Sequence, residues 1–250
     1  MQQQIQRSLK DNRFINNSFS EFQETERTPI SGYQNLPLQS LEQTLEKVIP
    51  IIPDLVHYVG QAKQKCNQND PILMWDKSAT VYLYTMPTPF YSYLNKALRN
   101  ENRQMLKPWF SFLRLIIHAL ERLPSLETNV WRGIKLDFYK QYSKDDTIVW
   151  WSFTSCTASI GVLNFELFLD KIDKRIMFAI ETDSEINIRN HSCFKEENEV
   201  LLLPARQFKT HDCLDQNNGL YVIQLREIQP SISLLEPVTI GKCSIIYICT

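Results

Sequence analysis

The sequence predicts an α+β fold in which a helical region comes first and a strand-rich region follows. Three observations carry that reading. Apolar residues recur at helical spacing from Leu38 to Leu123, β-branched and aromatic runs of strand length take over after Pro124, and the two textures do not alternate. Interleaved strands and helices would indicate a doubly wound parallel sheet, and their separation argues against one.

The helical spacing can be followed step by step. Leu41, Leu45 and Val48 share one face, as do Leu55, Val56 and Val59, then Tyr82 and Met86, then Leu94 and Leu98, which predicts four or five helices. Pro50, Pro53, Pro71, Pro87, Pro89, Pro108 and Pro124 fall between these segments or at their starts, where a missing N–H costs least. The densest apolar stretch, Trp109 to Leu123, is interrupted by Arg114, His118 and Glu121 and reads as a core helix.

Beyond Pro124 the strand candidates are Asn129–Trp131, Thr147–Phe153, Arg175–Ile180, Val200–Leu203, Arg206–Thr210, Leu220–Leu225 and Ser244–Cys249. Residues 1–35 are rich in Gln, Asn, Ser and Glu without an apolar repeat, and are expected to be disordered or draped as an extension. The expected organisation is therefore 1–35 as extension, 36–125 as helical region and 126–250 as β-rich core, with 36–250 forming one compact unit.

Composition narrows the function. The 250 residues are 43% apolar and 22% charged, an ordinary globular balance, and 27 basic against 28 acidic residues give a net charge of −1. No global field draws nucleic acid or an anionic membrane surface, so no nucleic-acid partner is expected and a charged ligand must meet a local site. The first residues lack the apolar core of a secretory signal, and no apolar stretch reaches the roughly 18 residues of a membrane span, so a cytoplasmic protein without a membrane span is expected. Six cysteines without a CxxC pair are expected to be reduced. Two His-x-Cys pairs, at His191 and Cys193 and at His211 and Cys213, lack the usual spacing of a zinc site, and no metal is expected. Six glycines in all, with no GxGxxG or GxxxxGK[ST], exclude the common nucleotide cradles.

Three polar groups sit inside or at the ends of apolar strand candidates, where an unpaired charge is costly. Arg132 follows Val130 and Trp131 and precedes Gly133, which places a guanidinium beside a residue that lets a ligand approach the backbone. Ser155 lies where the aromatic run Trp150-Trp151-Ser152-Phe153 gives way to Thr154-Ser155-Cys156-Thr157, hydroxyls able to cap a turn or orient another side chain. The third group is Glu199, directly before Val200-Leu201-Leu202-Leu203, with Glu197 two positions earlier. In extended backbone Glu197 and Glu199 point the same way and Glu196 points away, giving a paired-carboxylate edge at the mouth of a buried strand.

Taken in this order and spacing, Trp131-Arg132-Gly133, Phe153-Thr154-Ser155-Cys156-Thr157 and Glu197-Asn198-Glu199-Val200-Leu201 resemble the arginine, serine, glutamate motif set of the NAD:arginine mono-ADP-ribosyltransferase family. The resemblance runs over roughly Asp76 to Thr250. It departs from the common pattern at Cys156 and Thr157, where Ser or Thr is usual, and at Trp131, where Tyr is frequent.

The resemblance implies a split sandwich of two small antiparallel sheets behind a helical region, with NAD as co-substrate in the cleft. It implies that Arg132 holds the NAD phosphates and the adjoining ribose, that Gly133 offers backbone groups to the nicotinamide carboxamide, and that Ser155 positions the catalytic glutamate. Glu199 matches that glutamate, and Glu197 matches the acid that directs transfer to arginine on a protein acceptor. Phe168, or Phe165, lies where relatives carry a loop touching NAD and is an aromatic candidate for stacking on the ligand. Loss of the ribose–nicotinamide bond creates an oxocarbenium-like cation that Glu199 would stabilise, and Glu197 would take a proton from the attacking guanidinium. Two alternatives remain at this stage: NAD hydrolysis as the main activity, and a non-catalytic NAD- or protein-binding module on the same fold.

Overall fold

Ser40 begins the first helix with a reciprocal cap, its hydroxyl accepting the Gln43 N–H while the Gln43 side chain accepts the Ser40 N–H at 3.1 Å. The computed structural model describes residues 27–135, 139–161 and 174–238. Within them the helical region comprises α1 (Leu41–Leu45), α2 (Leu55–Lys65), α3 (Trp75–Thr85), α4 (Phe90–Leu98) and α5 (Phe110–Leu120), with a 3-10 turn at Arg103–Trp109 that accommodates Pro108. Pro89 occupies the N-cap of α4, as the punctuation of the sequence predicts. The expected core helix is α5, which buries eight of its residues from Phe112 to Leu120.

α3 packs against α2 and α5 and is covered on most of its circumference, burying Ser78, Ala79, Thr80, Val81, Leu83, Tyr84 and Thr85. Its buried hydroxyls are satisfied partly within the helix: Thr80 donates to the Asp76 carbonyl at 2.6 Å and Thr85 to the Tyr82 carbonyl at 2.9 Å. Ser78 and Thr85 also reach out of the helix, toward the segment that carries the site.

Among the described residues seven strands follow: β1 (Ser125–Ile134), β2 (Thr147–Trp150), β3 (Thr154–Thr157), β4 (Arg175–Asn187), β5 (Glu199–Leu202), β6 (Arg206–Asp215) and β7 (Leu220–Ile228). β1, β4, β7, β6 and β2 form a five-stranded layer, while β3 pairs with β5 to form a second, shorter layer. The layers are joined at two corners, through the far end of β4, where Ile186 and Asn187 oppose Leu201 and Val200, and through β1, where Trp131 opposes Thr157. All pairings are antiparallel except β4 with β7, which is parallel. This is the α+β, two-layer β architecture expected from the sequence, with one parallel seam added.

The run expected as a single strand from Thr147 to Phe153 is broken at Trp151, because the chain there changes layers. Trp150 belongs to the core between the sheets, packed on Phe178 and Phe208, whereas Trp151 and Phe153 belong to the helical core. β5 lies between these cores and is buried along its whole length: Val200 and Leu202 face the sandwich interior and Leu201 the helices, as does Leu203 just beyond it. The Ser244–Cys249 strand candidate lies outside the described residues, as do residues 1–26. In the remainder of the expected extension, Ile30 and Tyr33 are buried and Ile30 bridges to Leu235, with Ile30 N–H on the Leu234 carbonyl at 2.8 Å.

Candidate active site

The polar residues singled out from the sequence converge on the short β3–β5 layer. Arg132 shares a face of β1 with Val130 and Ile134, two positions to either side, which line the sandwich interior, and is 5% exposed. Its Nη1 donates to the Ser155 carbonyl at 2.8 Å, so the first two motifs are in direct contact. Gly133 opposes Met177 on β4. Ser155 opposes Leu201 and Thr157 opposes Glu199 across the β3–β5 ladder, which sets Ser155 one diagonal step from Glu199. Phe168 and Phe165 lie outside the described residues.

Glu199 opens β5 and is fully buried, and Glu197 is 7% exposed. The backbone between them differs from the extended lead-in expected from the sequence. Lys195–Glu197 forms a 3-10 turn and Asn198 adopts a left-handed conformation with φ 47°, which Asn tolerates better than most side chains. Strand alternation begins only at Glu199, so it does not place Glu197. What places it is the end of β3, where the Thr157 hydroxyl donates to the Glu197 carbonyl at 3.1 Å and Ala158 N–H to the Asn198 carbonyl at 3.4 Å.

Glu199 is held differently, through its carboxylate. Ser192 Oγ donates to Glu199 Oε2 at 2.8 Å and accepts the Phe194 N–H at 3.1 Å, while the Glu199 carbonyl accepts the Ile188 N–H at 3.2 Å. The turn bearing Ser192 is itself tied to α3 on both sides: His191 Nδ1 lies 3.0 Å from Ser78 Oγ, and the Cys193 N–H donates to Thr85 Oγ1 at 2.8 Å. Burial lowers the pKa of His191, while Asp70, 3.6 Å from its Nε2, opposes that shift. Neither Ser192 nor Thr157 was distinguishable in the sequence as a partner of the glutamates. Thr157 sits inside a recognised motif, but Ser192 lies in a polar turn whose partner only the tertiary fold selects.

Two other titratable groups lie near. Burial in the sandwich pushes the Cys156 thiol up to about 12, against the pull of the Arg132 guanidinium, and leaves it an inert packing residue. Glu185, 2% exposed, is pushed by burial up to about 7. Among the described residues no group of three or more His, Cys, Asp or Glu gathers as a metal site: His191 is buried against α3 and His211 is exposed on β6. Cavities of about 320 and 510 Å³ lie elsewhere, the first between α5 and the loops after β5 and β7, the second beside Gly32 and Arg103. Neither is lined by Arg132, Ser155, Glu197 or Glu199. Among the described residues no helix is long and apolar enough to cross a membrane.

With this geometry in place, comparison with known proteins gives a family. The sequence profile of the NAD:arginine ADP-ribosyltransferases matches residues 53–233, from the loop before α2 to the loop after β7. The chain belongs to the NAD:arginine ADP-ribosyltransferase family. NAD is the substrate of this family, and the chain is accordingly an NAD-dependent ADP-ribosyltransferase. The match begins upstream of Asp76, where the sequence resemblance was first legible.

Solved structures show the same fold at low identity. The Vis toxin of Vibrio splendidus, an ADP-ribosyltransferase solved with agmatine, is 18% identical with a TM-score of 0.52, over 84% of this chain and 97% of its own. The eucaryotic mono-ADP-ribosyltransferase ART2.2 is 17% identical with a TM-score of 0.57, over 77% and 85%. The type III effector XopAI of Xanthomonas axonopodis pv. citri is 16% identical with a TM-score of 0.59, over 91% and 92%. None of the curated proteins matches the sequence.

Proposed function

We propose that this transferase moves ADP-ribose from NAD to the guanidinium of an arginine on a protein acceptor and releases nicotinamide. The observation that carries the reading is the pair of buried carboxylates at the mouth of β5, beside the strand whose Ser155 carbonyl takes the Arg132 guanidinium. That the Vis structure was solved with agmatine, itself a guanidine, agrees with a cationic acceptor.

In this reading Arg132 draws the NAD pyrophosphate to a chain with almost no net charge, through a bidentate-capable cation that burial leaves little screened. Gly133 admits the nicotinamide carboxamide to the backbone, and Ser155, one diagonal step from Glu199 across the β3–β5 ladder, helps position that carboxylate. The bond between ribose C1′ and the nicotinamide nitrogen breaks, its electron pair leaving with neutral nicotinamide. The positive charge that develops on the ribose lies beside Glu199, whose carboxylate is already oriented and therefore stabilises it without reorganising. A guanidinium, with its pKa above 12, is no nucleophile until it sheds a proton. Glu197 binds it, and as nitrogen attacks C1′ the proton passes to the Glu197 carboxylate.

The test is incubation with labelled NAD and agmatine or an arginine-rich protein, following nicotinamide release and label transfer. Glu199→Gln is expected to lower both by at least about 100-fold. Glu197→Gln is expected to abolish transfer while NAD hydrolysis persists, because water needs no guanidinium-binding acid. Retention of transfer in either variant overturns the assignment, and hydrolysis unaffected by acceptor in the wild type makes the protein an NAD glycohydrolase.

A further inference from the structure

We propose that Ser192 is a positioning residue of this transferase, fixing the carboxylate of Glu199 in the orientation that meets the ribosyl cation. The inference rests on the reading of Glu199 given above.

Ser192 is 1% exposed and Glu199 fully buried, so their 2.8 Å contact is shielded from water and the hydroxyl has no solvent to turn to. The orientation of the hydroxyl is itself constrained. One lone pair of Oγ accepts the Phe194 N–H, which leaves its single proton to be given to Glu199 Oε2. A buried carboxylate with a donor on one oxygen is stabilised in its charged form and held in one rotamer, and catalysis by a fixed charge requires both.

The support behind Ser192 is equally specific. Ile188 accepts, on its carbonyl, the N–H groups of His191 at 2.9 Å and Ser192 at 2.8 Å, while its own N–H goes to the carbonyl of Glu199. The turn is therefore bonded to the backbone of the same residue whose side chain Ser192 holds. On its far side the turn is fastened to α3, His191 at Ser78 and Cys193 at Thr85, nearly two helical turns apart. His191 is in turn set by Asp70, whose Oδ1 accepts the Ile72 and Leu73 N–H groups at 2.8 Å each. The position of the catalytic carboxylate is thus referred, through the turn, to a buried helix. Ser155, the residue first expected to orient Glu199, takes the Arg132 guanidinium on its carbonyl and lies one diagonal step from Glu199 across the β3–β5 ladder, so Ser192 adds a second support to that carboxylate.

The test compares nicotinamide release by wild type, Ser192→Ala, Ser192→Cys and Ser192→Thr, with KM for NAD and thermal midpoint recorded for each. Ser192→Ala is expected to lower kcat by about tenfold or more for transfer and hydrolysis alike, with KM for NAD within about twofold, since the hydroxyl acts on Glu199 and not on the dinucleotide. Ser192→Cys, which keeps the volume but donates weakly, is expected to lie near the alanine variant and serves if that variant does not fold. Ser192→Thr, which retains the hydroxyl, is expected to recover most of kcat. A structural role alone would shift the thermal midpoint and leave kcat of the folded enzyme unchanged, and that result, or a loss confined to KM, overturns the proposal. If Glu199→Gln is itself fully active, it is the reading of Glu199 that fails; if Glu199→Gln is inactive while Ser192→Ala and Ser192→Cys are not impaired, only the role of Ser192 fails.

Discussion

The two faces of β5 perform different tasks on one four-residue strand. Val200 and Leu202 point into the interior between the sheets, against Phe178, Trp150 and Ile223, where packing alone is at stake. Glu199 and Leu201 belong to the opposite set, and Leu201 and the following Leu203 join the helical core. Neither face meets water, so a carboxylate at the start of the strand cannot be stabilised by solvent and must be supplied with a donor, here Ser192. Rigidity at this site thus comes from the same double burial that makes the strand central to the core. Glu197, on the far side of the left-handed Asn198, is by contrast held through its main chain by Thr157.

Leu202→Ala and Leu201→Ala, one on each face, are expected to perturb the strand most. Each removes a buried side chain and should destabilise the protein by about 3 kcal/mol in urea unfolding. They should differ in function: Leu201→Ala, on the face of Glu199 and opposite Ser155, lowers kcat of the folded enzyme, whereas Leu202→Ala leaves it near the wild-type value. Equal kcat values for the two would show that the faces are not functionally distinct.

A smaller effect concerns charge in the sandwich interior. Glu185 is raised by burial from 4.5 to about 7, so the folded protein holds a proton there that the unfolded chain releases. Below pH 4.5 the residue is protonated in both states and costs nothing. As pH rises from 4.5 to 7 the unfolded state alone ionises and stability falls, and above 7 the loss is complete. Glu185→Gln should therefore be more stable than the wild type by roughly 2 kcal/mol at pH 8 and indistinguishable from it near pH 4.5. Parallel stability curves across this range would remove Glu185 as the cause.

The smallest effect is that of Thr157→Val, which deletes the hydroxyl bond to the Glu197 carbonyl and should cost about 1 kcal/mol of stability. Because that bond places Glu197 and leaves Glu199 to Ser192, the ratio of arginine transfer to NAD hydrolysis should fall while total nicotinamide release changes little. A fall of both in proportion would show that the two glutamates share one support.

Much of this was legible in the sequence, for identifiable reasons. The helices follow from a 3.6-residue apolar period punctuated by proline, and the strands from short β-branched runs, because both signals record burial on one face. The break at Trp151 was not legible, since an aromatic residue buries equally well in either core and its type does not say which. The left-handed turn at Asn198 was hidden by the acidic run around it, which reads as a simple lead-in to the strand. The three motif residues were visible because a charged or hydroxyl group in an apolar run is exceptional. Ser192 was not, because a serine among His, Asn and Cys is ordinary until the fold brings a carboxylate to it.

The bridge between Ile30 and Leu235 has a kinetic meaning. Together with the Tyr33 hydroxyl on the Glu236 carbonyl, a contact spanning 203 positions, it joins the two margins of the described fold. A contact of such separation must overcome nearly the whole closure entropy of the chain, and it becomes favourable only when the intervening cores already hold its ends near one another. The clasp is thus expected to close after the rate-limiting step and to act as a brake on unfolding. In stopped-flow measurements Tyr33→Phe should accelerate unfolding and leave the folding limb unchanged, and a slower folding limb would place the clasp in the nucleus. This clasp would then set how long the folded enzyme lasts, and the strands at the centre of the fold how fast it forms.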